Sequence, residues 1–139
     1  WKKRVFRNRK RFTVISAGRQ CGKTFLCIFL IILYAITHRR AICWWVAPTF
    51  DPSRMAFRRC LNFLKDHGIP HRENKTELRI ELLFNGSVIQ FKSADREDGL
   101  RGETVDFMVV DEMGLLKRDA WQFALRGTIT DTKGEEPVL

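Results

Sequence analysis

Eight residues, Ala17-Gly18-Arg19-Gln20-Cys21-Gly22-Lys23-Thr24, separate a short β-branched stretch, Phe12–Ser16, from an unbroken apolar run, Phe25–Ile36. This order predicts a strand, a tight loop and a helix. A helix that is apolar all round has no face for solvent, so it has to be enclosed between a sheet and other elements. The run is shorter than the ~20 residues a membrane-spanning helix needs. A glycine-containing loop before it, and no small-residue cleavage site after it, is not the layout of a secretory signal. The expectation is a buried helix in a sheet-based domain, with no targeting segment and no membrane partner.

The elements that follow fit that frame. The helix is expected to run to about His38, where His38, Arg39 and Arg40 meet the negative end of its dipole. Ala41–Val46 reads as a buried strand. Asp51 as N-cap and Pro52 as first helical residue open an amphipathic helix, with Phe57, Cys60, Leu61 and Leu64 on its apolar face and Gly68 and Pro70 as its stop. Its other face carries Arg54, Arg58, Arg59 and Lys65 and reads as solvated. Alternation on both sides of Asn85-Gly86, over Leu78–Lys92, predicts a hairpin with a type I′ turn. A polar loop, Ser93–Thr104, leads to the apolar strand Val105–Val110, and a last helix, Lys117–Arg126, precedes a polar turn at Asp131–Gly134. Strands alternating with helices predict an α/β fold, a mostly parallel sheet flanked by helices with the hairpin at an edge. With 139 residues, 45% of them hydrophobic, no repeat and no linker, the chain is expected to form one domain.

Charge is distributed unevenly. Of a formal net +9, seven basic residues and no acidic ones fall in residues 1–11, leaving about +2 for the remainder. Such an arm suits a nucleic-acid phosphate backbone; a solvated arm without a partner, or one that meets acidic lipid, has the same composition. Cys21, Cys27, Cys43 and Cys60 show no C-x-x-C spacing, and His38, His67 and His71 are not placed around them as ligands. They read as reduced cysteines, and Cys27, Cys43 and Cys60 lie in apolar stretches that want a small hydrophobe.

Two motifs carry chemistry. The loop Ala17–Thr24 fits A-x-x-x-x-G-K-T, a Walker A sequence with Ala17 where the first glycine is usual. In such a loop the backbone N–H groups and the positive end of the next helix surround phosphates, Lys23 bridges the outer phosphates, and the Thr24 hydroxyl binds Mg²⁺. A strand-to-helix turn that binds nothing is the plain alternative. The second motif is Phe107-Met108-Val109-Val110 running into Asp111-Glu112. It has the form of Walker B: Asp111 suited to holding Mg²⁺ and Glu112 to polarising the water that attacks the γ-phosphate. An apolar strand entering a polar loop is the ordinary reading of the same residues. A further strand between the motifs, and a glutamate beside the Walker B aspartate, point to the additional-strand, RecA/helicase-like class of P-loop NTPase.

Taken together, Gly18-Arg19-Gln20-Cys21-Gly22-Lys23-Thr24, Val46-Ala47-Pro48-Thr49, Leu100-Arg101-Gly102 and Val109-Val110-Asp111-Glu112 resemble the ATPase domain of viral large terminases, in order and spacing along nearly the whole chain. The resemblance implies an ATP- and Mg²⁺-dependent motor that moves double-stranded DNA into a procapsid. It also implies a homo-oligomeric ring at the portal protein, a small terminase subunit as partner, and a site of action in the host-cell cytoplasm. It casts Ala17 to Thr24 as the nucleotide loop, Arg19 as a phosphate contact and Arg101 as an arginine finger reaching a neighbouring subunit. An arginine in a polar, glycine-containing loop is equally an exposed or DNA-touching side chain. Pro48-Thr49 either supports the nucleotide site or simply ends a strand.

The sequence departs from the family pattern in places. Where terminases often carry a glutamine that reads adenine, this chain has Trp1-Lys2-Lys3-Arg4. The Thr-rich coupling segment expected after Gly134 and the acidic nuclease domain of complete terminases are not seen, so the chain is expected to be a piece of a longer protein, and DNA cleavage is not assigned to it. Two other functions fit the residues. One is a helicase-like DNA-dependent ATPase, disfavoured by Met113-Gly114 after Asp111-Glu112. The other is a nucleotide- or DNA-binding remnant without turnover, against which stands the presence of Lys23, Thr24, Asp111 and Glu112.

Overall fold

A computed structural model describes residues 2–3, 13–16, 18, 20–96 and 103–116. Its elements are α1 (Lys23–Thr37), β1 (Ile42–Ala47), α2 (Phe50–Asp66), β2 (His71–Asn74), β3 (Arg79–Leu82), β4 (Val88–Ser93) and β5 (Phe107–Val110), followed by a 3₁₀ turn at Met113–Leu115. The strands form one sheet in the order β2-β3-β4-β1-β5. β1 pairs in parallel with both β4 and β5, while β2, β3 and β4 pair antiparallel. The sheet is mixed, its hairpin half fused to a parallel half.

Burial explains which sequence pattern each strand carries. β1 is covered on both faces and flanked on both sides, so its sequence Ile42-Cys43-Trp44-Trp45-Val46-Ala47 runs apolar without alternation. In β3 and β4 every second residue is buried, which leaves Arg79, Glu81, Gln90 and Lys92 on the less covered face. Both helices pack on the opposite face, where Ile31, Ile32, Phe57, Cys60 and Leu64 meet Cys43, Trp45, Ile80, Leu82, Ile89 and Phe107. A smaller cluster of Trp44, Val46, Ala94, Val105 and Met108 fills the other side. Cys43 and Cys60 are buried, and burial pushes the Cys60 thiol up to about 12, in keeping with a packing role.

Several expectations need correction. Thr13–Ser16 carries no strand pairing; a β-branched run becomes a strand only where a neighbour supplies the ladder, and Val14 is 84% exposed. α2 begins two residues earlier than an N-cap at Asp51 implied: Thr49, with extended backbone, is the N-cap, and Asp51 sits in the first turn, where its charge still favours the helix. β2 was not legible at all, because His71-Arg72-Glu73-Asn74 has no apolar alternation and belongs to the sheet as a polar edge. The helix expected at Lys117–Arg126 and the turn at Asp131–Gly134 lie outside the described residues, as does most of the basic arm.

The hairpin turn is built differently from the type I′ form. Gly86 is left-handed (φ 74) but Asn85 is not. The side chain of Asn85 is engaged elsewhere: its Nδ2 donates to the carbonyls of Ala35 (2.7 Å), Ile36 (3.2 Å) and His38 (3.2 Å). Its Oδ1 accepts from the Ser87 N–H at 3.0 Å. Ser87 Oγ in turn donates to His38 O at 2.6 Å and accepts from the Ala41 N–H at 3.1 Å. Two of the carbonyls that every helix leaves orphaned at its C-terminus, those of Ala35 and Ile36, together with that of the C-cap His38, are thus satisfied, for α1, by the turn between β3 and β4. Replacing Asn85 with alanine strands these groups in a partly buried place, and Asn85→Ala should lower the unfolding free energy by about 2 kcal/mol in a urea titration. A loss under a few tenths would mean that water replaces the side chain.

Candidate functional site

Gly22 closes the loop before α1. It is the helix N-cap, with φ 76 and ψ 30, a conformation that costs glycine little and other residues about 1–2 kcal/mol. No acidic residue occupies the first turn of α1, so the positive end of the helix faces the loop without a carboxylate of its own. Lys23 turns back over the loop, its Nζ 3.4 Å from the Gly18 carbonyl oxygen. Gln20, also left-handed (φ 61), completes the sharp bend of the described part of the loop.

β5 delivers the two carboxylates to the same place. The Asp111 N–H donates to Val46 O at 2.8 Å, carrying the ladder one step past the strand and fixing Asp111 at its carboxyl end. The Glu112 N–H donates to Asp111 Oδ1 at 3.1 Å. Glu112 itself is left-handed (φ 49) and caps the following 3₁₀ turn. A non-glycine residue in that region carries strain of about 1–3 kcal/mol and recurs where the backbone is held for a purpose.

Between loop and strand lies a cavity of about 530 Å³, lined by Thr13 to Ser16, Gln20, Lys23, Thr24, Cys27 and Val109 to Gly114. The two motifs therefore share one cleft. Other cavities, of about 350 Å³ beside β3 and β4 and about 450 Å³ beside β2 and β3, hold neither motif. Within the cleft, burial holds the Asp111 carboxyl above its usual range, with the neighbouring Glu112 charge adding to it. The Glu112 N–H, Lys23 and Arg59 pull the other way without cancelling it. Cys27, four residues beyond Lys23 on α1, is pushed up to about 11 by burial and by Asp111.

Of the residues expected at the site, Gln20, Lys23, Thr24, Asp111 and Glu112 line the cleft, and Gly18, Cys21 and Gly22 belong to the loop that borders it. Ala17, Arg19 and Arg101 lie outside the described residues. Thr49 is exposed at the start of α2 and does not line the cleft. Cys27, Thr13, Ser16 and Met113 were not anticipated. Cys27 was findable, since one helical turn beyond Lys23 falls on the same face; the electrostatic reach of Arg59 to Asp111 depends on how α2 packs and had no local signal.

The model of the family described as terminase large subunit, T4likevirus-type, N-terminal, matches residues 14–136 of this chain. The chain belongs to that family. The terminase large subunits of Thermus phage G20c and Thermus virus P23-45 are each 25% identical over 148 residues, covering 94% of this chain but 30% of the relative. This terminase chain thus spans about a third of the length of the curated relatives it matches. Among solved structures, the large terminase ATPase domain of Thermus phage P74-26 superposes with a TM-score of 0.81 at 24% identity, over 91% of this chain and 58% of that one. The large terminase of another thermophilic bacteriophage, in complex with ADP, gives 0.71 at 18% identity, over 92% and 32%. The terminase chain has the P-loop NTPase fold of these structures. Among its described residues no helix is long and apolar enough to cross a membrane.

The raised proton affinity of Asp111 has a measurable sign. The folded state holds this proton more tightly than the unfolded chain, so the stability tied to Asp111 is lost as pH rises through the carboxylate range. Asp111→Asn should raise the melting temperature near pH 7, and leave it unchanged below about pH 3, where both states are protonated. A lower melting temperature at neutral pH would show that the carboxylate is stabilising there.

Proposed function

We propose that this chain is the ATP-hydrolysing part of a DNA-packaging motor. The observation that carries the reading is the shared cleft: Lys23 and Thr24 at the start of α1, and Asp111 and Glu112 at the end of β5, open into one cavity. Loop N–H groups from Ala17 to Thr24 and the N-terminus of α1 cradle the phosphates. Lys23 moves from the Gly18 carbonyl to the outer phosphates. The Thr24 hydroxyl and the Asp111 carboxylate would hold Mg²⁺, an ion that commonly uses one or two carboxylates plus phosphates rather than an all-protein cage. The donor set fits: Thr24 offers a hydroxyl and Asp111 a partly desolvated carboxyl in one cleft. When bound, the metal neutralises charge developing on the phosphates.

Glu112, exposed beside Asp111, takes the proton of the attacking water as general base. Arg19 and Arg101 are read by family likeness as a phosphate contact and as a finger supplied to the neighbouring subunit of a ring. The solved relatives, an ATPase domain and large terminases in complex with ADP and ATP-gamma-S, support nucleotide hydrolysis as the chemistry. The same likeness supports double-stranded DNA as cargo, a portal protein and a small terminase subunit as partners, and action at the procapsid in the host-cell cytoplasm. Residues 1–139 act in this reading as one ATPase domain with a basic arm at 1–11, and no DNA cleavage is assigned to them.

The test is ATP turnover with Mg²⁺, with and without double-stranded DNA. Lys23→Ala should abolish binding and turnover together. Glu112→Gln should keep nucleotide binding but lower kcat by about 10²–10⁴-fold, the contribution of a positioned base. Wild type that binds ATP without turning it over would favour a nucleotide-binding remnant. Glu112→Gln at full activity would remove this glutamate from the chemistry.

A further inference from the structure

A residue outside both motifs reaches the nucleotide loop. A Cβ built on Gly22 would stand 2.6 Å from Lys2 Nζ and 3.3 Å from its Cε. The end of the Lys2 side chain therefore lies against the glycine that immediately precedes Lys23. The approach is this close because that position has no side chain; Gly22 itself is required for its left-handed backbone, whereas the flexible end of Lys2 could shift away from a Cβ. Three sources of positive potential meet there: the ammonium of Lys2, the ammonium of Lys23 over Gly18, and the N-terminus of α1 with no acidic residue in its first turn. A polyanion seated in the loop is the ligand that such a convergence suits.

We propose that Lys2 is a phosphate-binding residue of the nucleotide site, reaching across Gly22 to the phosphates that the loop holds. The assignment rests on the reading of the loop as a nucleotide site. It takes Lys2 out of the basic arm that the sequence suggested for a nucleic-acid backbone and gives it a small-molecule ligand instead. Electrostatically the residue acts as a point charge on a flexible stem, so it adds affinity without fixing the geometry of the reacting phosphate. Its removal should raise Kd and KM and leave kcat nearly alone.

The experiment is a fluorescence titration of the whole chain with mant-ATP and Mg²⁺, at two salt concentrations, for wild type, Lys2→Ala, Lys2→Arg and Lys23→Ala, alongside steady-state kinetics, thermal melting and a DNA-binding titration. Lys2→Ala should weaken mant-ATP by about 3–10-fold, as expected for one partly solvated charged contact. It should also flatten the salt dependence, change kcat by less than about twofold and leave the melting temperature unmoved. Lys2→Arg should restore affinity. Unchanged mant-ATP affinity in Lys2→Ala, with binding lost in Lys23→Ala, would overturn the assignment while leaving the nucleotide site intact. So would a loss confined to double-stranded DNA. If wild type and Lys23→Ala alike fail to bind mant-ATP, the nucleotide-site reading itself falls, and the role of Lys2 with it.

Discussion

Tyr34 stacks on Phe107 with ring centroids 4.8 Å apart, and this contact sets the level of α1 along the sheet. From Tyr34 back to Lys23 the helix rises about 16 Å at 1.5 Å per residue; from Phe107 forward to Asp111 the strand advances about 13 Å at its own rise. The two distances nearly agree. A helix pinned on β5 at one end therefore brings Lys23 and Thr24 to the height of Asp111 at the other, although the two halves of the cleft lie far apart in sequence. The apolar surface that encloses α1 holds this offset, with Ile31 and Ile32 fully buried against the sheet.

The cleft is made at some cost to the fold. Asp111 is desolvated beside a second carboxylate, and Gln20 and Glu112 hold left-handed backbones that glycine would adopt more easily. These strains sit at the carboxyl end of the sheet, while β1, buried from Cys43 to Ala47 and paired on both sides, supplies the rigidity that holds them. Strain concentrated at one end of a well-packed layer is the usual relation between a scaffold and a site built on it.

How far the sequence could be read follows from which forces are local. The loop and the carboxylates were visible because their residue types and spacing are short-range requirements of phosphate chemistry. The buried face of α2 was visible because Phe57, Cys60, Leu61 and Leu64 repeat at helical spacing, and all four are buried. The hairpin was visible as alternation, yet its turn was misjudged because Asn85 answers to the end of α1, some 50 residues away in sequence. β2 escaped notice since a polar edge strand is recognised by its neighbour β3 rather than by its own composition. Phe12–Ser16 looked like a strand because β-branched residues state a preference, whereas pairing needs a neighbour that no local pattern can name; of these residues the described ones, Thr13–Ser16, form no strand.

The tie between Asn85 and α1 has a mechanical meaning. The helix is about 22 Å long, joined at one end to the loop and at the other, through the hydrogen bonds of Asn85 and Ser87, to the turn that carries Leu83 and Phe84 on the surface. Helix end and turn are thus tied together. Any tilt of α1 about the loop, about 4 Å at the far end for 10°, would be resisted there by these bonds, so the turn bearing exposed Leu83 and Phe84 braces the helix at the end away from the cleft.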